Sequence, residues 1–445
     1  MAAKFIQEVP RRTPVISEPD VLVVGGGIAG IAAACAASRA GAKTLLIERY
    51  GFLGGMFTAT TLGSFAGTHM IIDEQRLARV VGGLFLELEE RLKKKDAIFE
   101  QIRHGKILGA PFDTTAFKVV VDDMVAAHKT DVIHHMYAVG VQKDGRRVTA
   151  VIVESKAGRA AIVPRVVIDS TGDGDIAAGA GAEFEVSDGQ SRQYGSTMFR
   201  FANVQSGRVR QQTREEIRDC LEKAVADGYP LPRTTIGVHI NPIDGIAHLN
   251  VTKLGDRNGK PFDLLDPVQL TAAEQAGRRQ VMLYEEVFRK YVPGFEKARV
   301  VEIGAQLGCR ESRRVVGEKT LTEPDVRGFV KPYDRIACVA HALEKHGTGR
   351  GTIWDFLPDG EWYGIPYGCC VVKGFDNLLV AGRNLSATQM AHASARIGGA
   401  CLAMGEATGT AAAMSLAQSA VPREVPIERL QSELLRHGTI LKPQV

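Results

Sequence analysis

Continuous apolar runs and helix-periodic stretches alternate along this chain, and their order implies a layered α/β fold. Val21-Leu22-Val23-Val24 is an unbroken, β-branched run suited to a parallel strand buried on both faces. Ile31 to Ala40 reads as an alanine-rich helix, and Lys43-Thr44-Leu45-Leu46-Ile47 as a second strand. From Arg76 to Lys95 the positions Leu77, Val80, Val81, Leu84, Leu88 and Leu92 share one helical face. The charged remainder, with Lys93-Lys94-Lys95, reads as a solvated face. Thr114 to Lys129 is a second amphipathic helix with Asp113 as its N-cap.

Three short strands are then expected, at 132–137, 147–154 and 160–163. Asp144-Gly145 and Ala157-Gly158 supply hairpin turns between them. Val166 to Asp169 is again a buried apolar strand. From about Glu185 the texture changes. Strand-like residues 194–204, a helix at 214–227, strand and loop at 230–250 and a long helix at 270–291 give a mixed block. Asn377 to Gly382 then returns as an apolar strand entering a turn, and Pro426 to His437 is an amphipathic tail helix ending at Gly438. The expected division is an N-terminal surface arm, 1–19, a discontinuous cofactor domain, 20–185 and 362–445, and a substrate-covering α+β domain, 186–361.

The first strand enters Gly25-Gly26-Gly27-Ile28-Ala29-Gly30, which fits G-x-G-x-x-G with Gly25, Gly27 and Gly30 in register. The first glycine permits the tight turn, the second lets a pyrophosphate approach the backbone, and the third allows close helix–strand packing. The N-terminal N–H groups of the following helix face the phosphates. Glu48, at the tip of the second strand and about 20 residues further on, is set to accept from ribose hydroxyls. Strand, turn, helix, strand and acid together point to an adenine dinucleotide, either NAD or FAD. Residues 49–58, RYGFLGGMFT, add a second glycine pair, Gly54-Gly55, which lets the chain fold back over the pyrophosphate. That favours a flavin.

Here the chain resembles the FAD-dependent oxidoreductases with a glutathione-reductase-type flavin fold, in the group carrying G-G-M-x-T after the ribose glutamate. Residues 166–177, VVIDSTGDGDIA, are similar to that group's T-G-D-G-D turn. Residues 308–317, GCRESRRVVG, resemble its arginine-rich middle segment, and 377–413 resemble its flavin-closing segment with the A-G-R turn and G-E-A-T-G helix. The resemblance implies an FAD-binding Rossmann domain with a β-meander. It implies FAD contacts from Arg49, Met56, Thr58, Ala138, Val139, Thr171, Gly172, Asp175, Gly382 and Arg383. It also implies contacts from Arg396, Gly398, Gly399 and Ala400, where a small-residue helix aims its N-terminus at the flavin. Backbone groups of residues 137–139 are implied beside the adenine. An acid usual just after the A-G pair is replaced here by Arg383.

Composition narrows the partners. The 445 residues carry a net charge of only +4, which argues against a dedicated nucleic-acid binder and allows an anionic substrate. Glycine is abundant, at 48 residues, as a fold with backbone against cofactor requires. Seven cysteines, at 35, 220, 309, 338, 369, 370 and 401, contain no C-x-x-C pair. Neither a zinc knuckle nor a redox disulfide is offered, and no metal is expected. A reduced, cytoplasmic compartment follows, with no membrane span and no secretory signal. A homo-oligomer is compatible with the sequence.

Flavin chemistry moves a hydride at N5 and needs one proton managed and one substrate oriented. His392, just before the small-residue helix, is a candidate for the proton. Arg310 and Arg396 are candidates to anchor a substrate carboxylate, with Arg313, Arg314 and His69 as further candidates. His134 and His135 read as structural. Gly172-Asp173-Gly174-Asp175-Ile176-Ala177 fits G-x-G-x-x-A like a second dinucleotide turn, but its two carboxylates would repel a pyrophosphate. With no nicotinamide domain, electrons pass to a small substrate and to an external acceptor or oxygen. The expected activity is hydride transfer between FAD and a small organic substrate, as a dehydrogenase, oxidase or reductase. A flavoprotein of tRNA uridine modification and an NAD-dependent dehydrogenase stand as alternatives.

Overall fold

The computed structural model describes residue 6 and residues 10–347 and 349–444. Five parallel strands form the central sheet in the order Leu378–Val380, Val166–Asp169, Val21–Val24, Thr44–Ile47 and Asp131–Ile133. The first four are buried at every position, which is why they read as unbroken apolar runs. Strand order reverses between Val21–Val24 and Val166–Asp169. The glycine loops at their carboxyl ends therefore flank a crevice where ligands of such sheets bind.

Two helices cover one face. Ile28–Arg39 packs along Gly398–Ala417 so closely that a Cβ on Gly405 would lie 2.1 Å from the Ala29 carbonyl oxygen, and one on Gly409 2.0 Å from that of Ala33. Glu406, between these glycines, is wholly buried. It pairs with Arg39 at 2.8 Å and accepts the N–H of Leu84 at 3.0 Å, the first residue of helix Leu84–Lys93. The G-E-A-T-G pattern is thus a helix-packing device with a buried capping acid.

A second, four-stranded sheet contains the antiparallel meander Tyr137–Asp144, Arg147–Ser155 and Gly158–Ile162. Its fourth strand, Val15–Ser17, runs parallel to Gly158–Ile162, so this part of the expected surface arm is an edge strand. The remainder of the arm before residue 10, apart from Ile6, lies outside the described residues. The strand expected at 132–137 is two elements. Asp131–Ile133 joins the parallel sheet, His135 turns at φ 53°, and the meander starts at Tyr137. The helix expected from Arg76 also starts late. Leu77–Arg79 is a strand paired with His69–Ile71, and Gly82-Gly83 breaks the chain before Leu84.

The third layer is an antiparallel sheet in the order Gly237–Ile240, Ala247–Asn250, Phe199–Ala202 and Arg299–Ile303. The helix Pro267–Tyr291, capped by Asp266 with proline at its start, closes its core around Phe199, Phe201, Tyr284, Phe288 and Phe295. The expected cap, 186–361, does not share one core. Leu321, Val326, Ile336 to Val339, Leu343 and Leu357 pack with Val21 and the helix Gly398–Ala417 rather than with Phe199 and Tyr284.

Candidate active site

A cavity of ≈ 960 Å³ runs from the glycine turn after Val24 to the underside of the antiparallel sheet. At its first end, Gly25 has φ +102°, and a Cβ there would strike the Ser170 carbonyl at 2.5 Å. A Cβ on Gly30 would lie 1.8 Å from the oxygen of Gly25, so this glycine serves helix–strand contact and does not face the cavity. Gly27 does face it, with nothing nearer to its Cβ position than 3.9 Å. The second glycine pair folds back on the first. Gly54 N–H donates to Gly26 O at 2.8 Å, and Gly27 and Gly54 form a parallel bridge. Glu48 is buried and held by two backbone donors, Gly26 N–H at 2.6 Å and Tyr50 N–H at 2.9 Å. Arg49 also lines the cavity and donates to Gln306 at 2.7 Å.

The T-G-D-G-D turn is built on Asp169, which is fully buried. It accepts from Thr171 N–H at 3.0 Å, Thr171 Oγ1 at 2.7 Å, and Ile176 and Ala177 N–H at 2.9 Å each. Burial nevertheless pushes its carboxyl up to about 6. The arginine-rich segment threads against this turn. Arg313 donates to Asp175 at 2.9 Å and to the Asp173 carbonyl at 3.0 Å. Arg383 donates to Asp173 at 2.7 Å and to Ser312 Oγ at 2.5 Å. Burial alone would raise Asp173, but Arg383 beside it and Ser312 hold it below its ordinary value. The arginine after the A-G pair therefore supports the turn through Asp173.

At the far end, Arg396, Ile397, Gly398 and Cys401 present the N-terminus of the 20-residue helix to the cavity. A Cβ on Gly398 would fall 2.5 Å from the Phe57 ring, and one on Gly399 2.4 Å from Gly67 O. Arg396 donates to Gln193 at 3.3 Å and lies 3.9 Å from Glu344. Burial opposes charge on Glu344, yet His346, His341 and Arg396 hold it well below the usual carboxylate range. His346, pushed down to about 3 by burial, is a neutral ring whose Nε2–H donates to Glu344 at 2.7 Å. Arg310 lines the cavity too, donating to Tyr194 O and Ser196 Oγ at 2.7 Å each and to Asn250 Oδ1 at 3.2 Å.

Several expected residues lie off this cavity. His392 is wholly buried behind the Gly382-Arg383 turn, where its Nε2–H donates to Arg383 O at 2.7 Å. Burial holds its ring well below 6.5, so it is neutral and faces the turn, not a substrate. His69 sits beside Thr68 at 3.0 Å and borders a separate, smaller pocket. Arg314 is buried against Glu311 at 2.7 Å. Thr58 turns inward to donate to Leu53 O at 2.7 Å, Val139 is exposed on the meander, and Gly399 and Ala400 lie behind Gly398. Met56, Ala138, Thr171, Gly172, Asp175 and Gly382 line the cavity, as do Ile28 and Ala29.

Arg233, Asn250, Glu344 and Trp354 also line the cavity and were not expected there. None belongs to a local motif. Arg233 is brought in by the Pro230–Pro232 loop and Glu344 by a two-strand hairpin, and such long-range placement leaves no periodic signal. Among the described residues, no group of three or more His, Cys, Asp or Glu is arranged to hold a metal ion. No helix among them is long and apolar enough to cross a membrane.

The glycine cradle, the buried acid at the second strand tip and the long helix pointing into one cavity define a mixed α/β FAD-binding enzyme. Over residues 20–434 the chain matches the family described as FAD dependent oxidoreductase, and it belongs to that family. It is a flavoprotein oxidoreductase, and its cofactor is FAD. Among solved structures it is similar to a geranylgeranyl bacteriochlorophyll reductase-like protein from Thermoplasma acidophilum, at 14% identity over 95% of this chain and 84% of that one, TM-score 0.46. It is also similar to p-nitrophenol 4-monooxygenase PnpA from Pseudomonas putida DLL-E4, at 12% identity over 94% and 84%, TM-score 0.48. The flavin-dependent brominase Bmp2 matches at 12% identity over 94% and 83%, TM-score 0.46. At that level of likeness none of their chemistry transfers to this chain.

Proposed function

We propose that this protein transfers a hydride between FAD and a C–H bond of a small organic substrate that is anionic at one end. The reading rests on one observation: a single cavity connects the glycine cradle to a helix N-terminus and then to buried arginines. The cavity fits the cofactor. Glu48 stands where a ribose would lie, Gly27 leaves its backbone open to a diphosphate, and the N-terminus of helix Gly398–Ala417 meets the cavity where a flat ring would end. When bound, FAD supplies the hydride acceptor or donor. Arg310 and Arg396 orient the substrate by charge-assisted hydrogen bonds. The positive end of helix Gly398–Ala417 stabilises negative charge that develops beside it. His392 is not given the proton, because among the described residues its ring bonds to Arg383 O alone.

The subclass we assign is the glutathione-reductase-type fold, on the parallel sheet with an inserted meander. The cofactor domain takes 20–185 and 362–445 together with 321–361, whose side chains share its core. The cap is then the block built on Phe199 and Tyr284. A cytoplasmic setting suits the seven unbridged thiols. Anaerobic bleaching of the bound flavin by a panel of alcohols, amines and acids, followed by readmission of air, tests the reaction. Bleaching by an organic reductant supports hydride transfer, and re-oxidation by air identifies an oxidase. Protein that stays yellow with every organic reductant in the panel overturns the reading.

A further inference from the structure

Two buried cations in the cavity have no carboxylate. Arg233 and Arg310 are 8% and 7% exposed, both line the cavity, and neither has an acidic oxygen within the 4.0 Å of an ion pair, among the described residues. Asn250 holds them side by side, accepting from Arg310 through Oδ1 at 3.2 Å and from Arg233 through its carbonyl at 3.4 Å. Arg310 commits its Nη1 to Tyr194 and Ser196, which leaves its Nε–H without a protein acceptor. Arg233 donates to Thr352 at 2.8 Å, and its own Nε is buried without a partner. Glu344, the acid that acts on both arginines, is taken up by His346 at 2.7 Å and by Arg396 at 3.9 Å. Cations buried without counter-charge are costly, and are kept where a ligand supplies that charge.

We propose that Arg233 and Arg310, joined by Asn250, form the carboxylate-binding subsite of the substrate pocket. This rests on the flavoenzyme reading above and names the substrate class for it: small carboxylic acids. Arg310 Nε–H and the unspent Nη hydrogens of Arg233 are the donors left for a ligand, and planar guanidinium forks match carboxylate geometry. Burial lowers both arginines, Arg310 to about 9, the direction expected of cations lacking an anion. Arg396, already shared with Glu344 and Gln193, lies beside the flavin helix and is not part of this pair.

The test is titration of the FAD-loaded protein with succinate, acetate, succinamide and inorganic phosphate, read as the difference spectrum of the flavin. Succinate and acetate are expected to give a saturable perturbation, and the uncharged succinamide none. Arg233→Met is expected to weaken succinate at least tenfold at unchanged flavin content, with Arg233→Lys recovering part of the loss. Arg310 also anchors Tyr194 and Ser196, so the wild-type succinate–succinamide comparison is decisive without any variant. Equal responses to succinate and succinamide, no response to either, or unaltered succinate binding in Arg233→Met overturns the proposal. So does tighter binding of phosphate than of either carboxylate. Such failures in protein that stays yellow leave the flavoenzyme reading intact, whereas purified protein that takes up no FAD sinks that reading itself.

Discussion

Glu406 and Arg39, 367 positions apart in sequence, form an ion pair at 2.8 Å that ties the helix entering the cavity to the helix leaving the glycine turn. The carboxylate is fully buried, and its second oxygen caps Leu84. Glu406→Gln removes the charge while Arg39 remains three-quarters or more covered. Removing one partner of such a pair costs about 3 kcal/mol. The expected result is a lower midpoint in urea with an unchanged slope, in protein that still binds FAD.

Arg383 compensates Asp173 at 2.7 Å, beside the path proposed for the diphosphate. Arg383→Met leaves an unpaired, half-buried carboxylate where the proposed cofactor pose carries its own negative charge. A loss of FAD affinity of tenfold or more is expected, on the order of 1.4 kcal/mol or above. Fluorescence titration of deflavinated protein measures it. Asp173→Asn in the Arg383→Met background should restore part of the affinity, since the repulsion is then gone.

Gly27 has φ −69°, which any residue adopts, and free space at its Cβ position. Gly27→Val should therefore fold with an unchanged thermal midpoint when both proteins are compared without cofactor. Its side chain would occupy the diphosphate path, and the protein should purify colourless. Gly25→Val is the contrasting case. With φ +102° and Ser170 O at 2.5 Å, it should be destabilised whether or not FAD is present.

His392 is neutral in the folded protein because burial and Arg396 disfavour its charge. The unfolded ring protonates near about 6.5, so below that pH the unfolded chain binds one more proton and stability falls as pH falls. Each such histidine steepens the loss by about 1.4 kcal/mol per pH unit. His392→Gln should make urea stability less acid-sensitive by that amount. It should also reduce its flavin at the wild-type rate. A tenfold slower reduction would return the ring to the chemistry.

Much of the cofactor end was legible in the residues because it is local. A turn, a helix and an acid within one βαβ unit leave a periodic signature, and Gly25, Gly27 and Glu48 line one cavity. Roles set by distant neighbours were not legible. His392 occupies a suggestive place in sequence, yet the Gly382-Arg383 turn comes between it and the cavity. Arg233 sits in an unremarkable proline loop, yet Asn250 draws it beside Arg310. The late start of the helix at Leu84 has a similar cause. The pattern from Leu77 is helical in period, but strand pairing with His69–Ile71 and the Gly82-Gly83 break prevail.

The interlock of Gly405 with Ala29 and of Gly409 with Ala33 leaves no play between two long rods, one carrying the diphosphate grip and the other the face that meets the ring. On the proposed function, the opposite wall, with Arg233 and the hairpin bearing Glu344, is the one that meets the substrate.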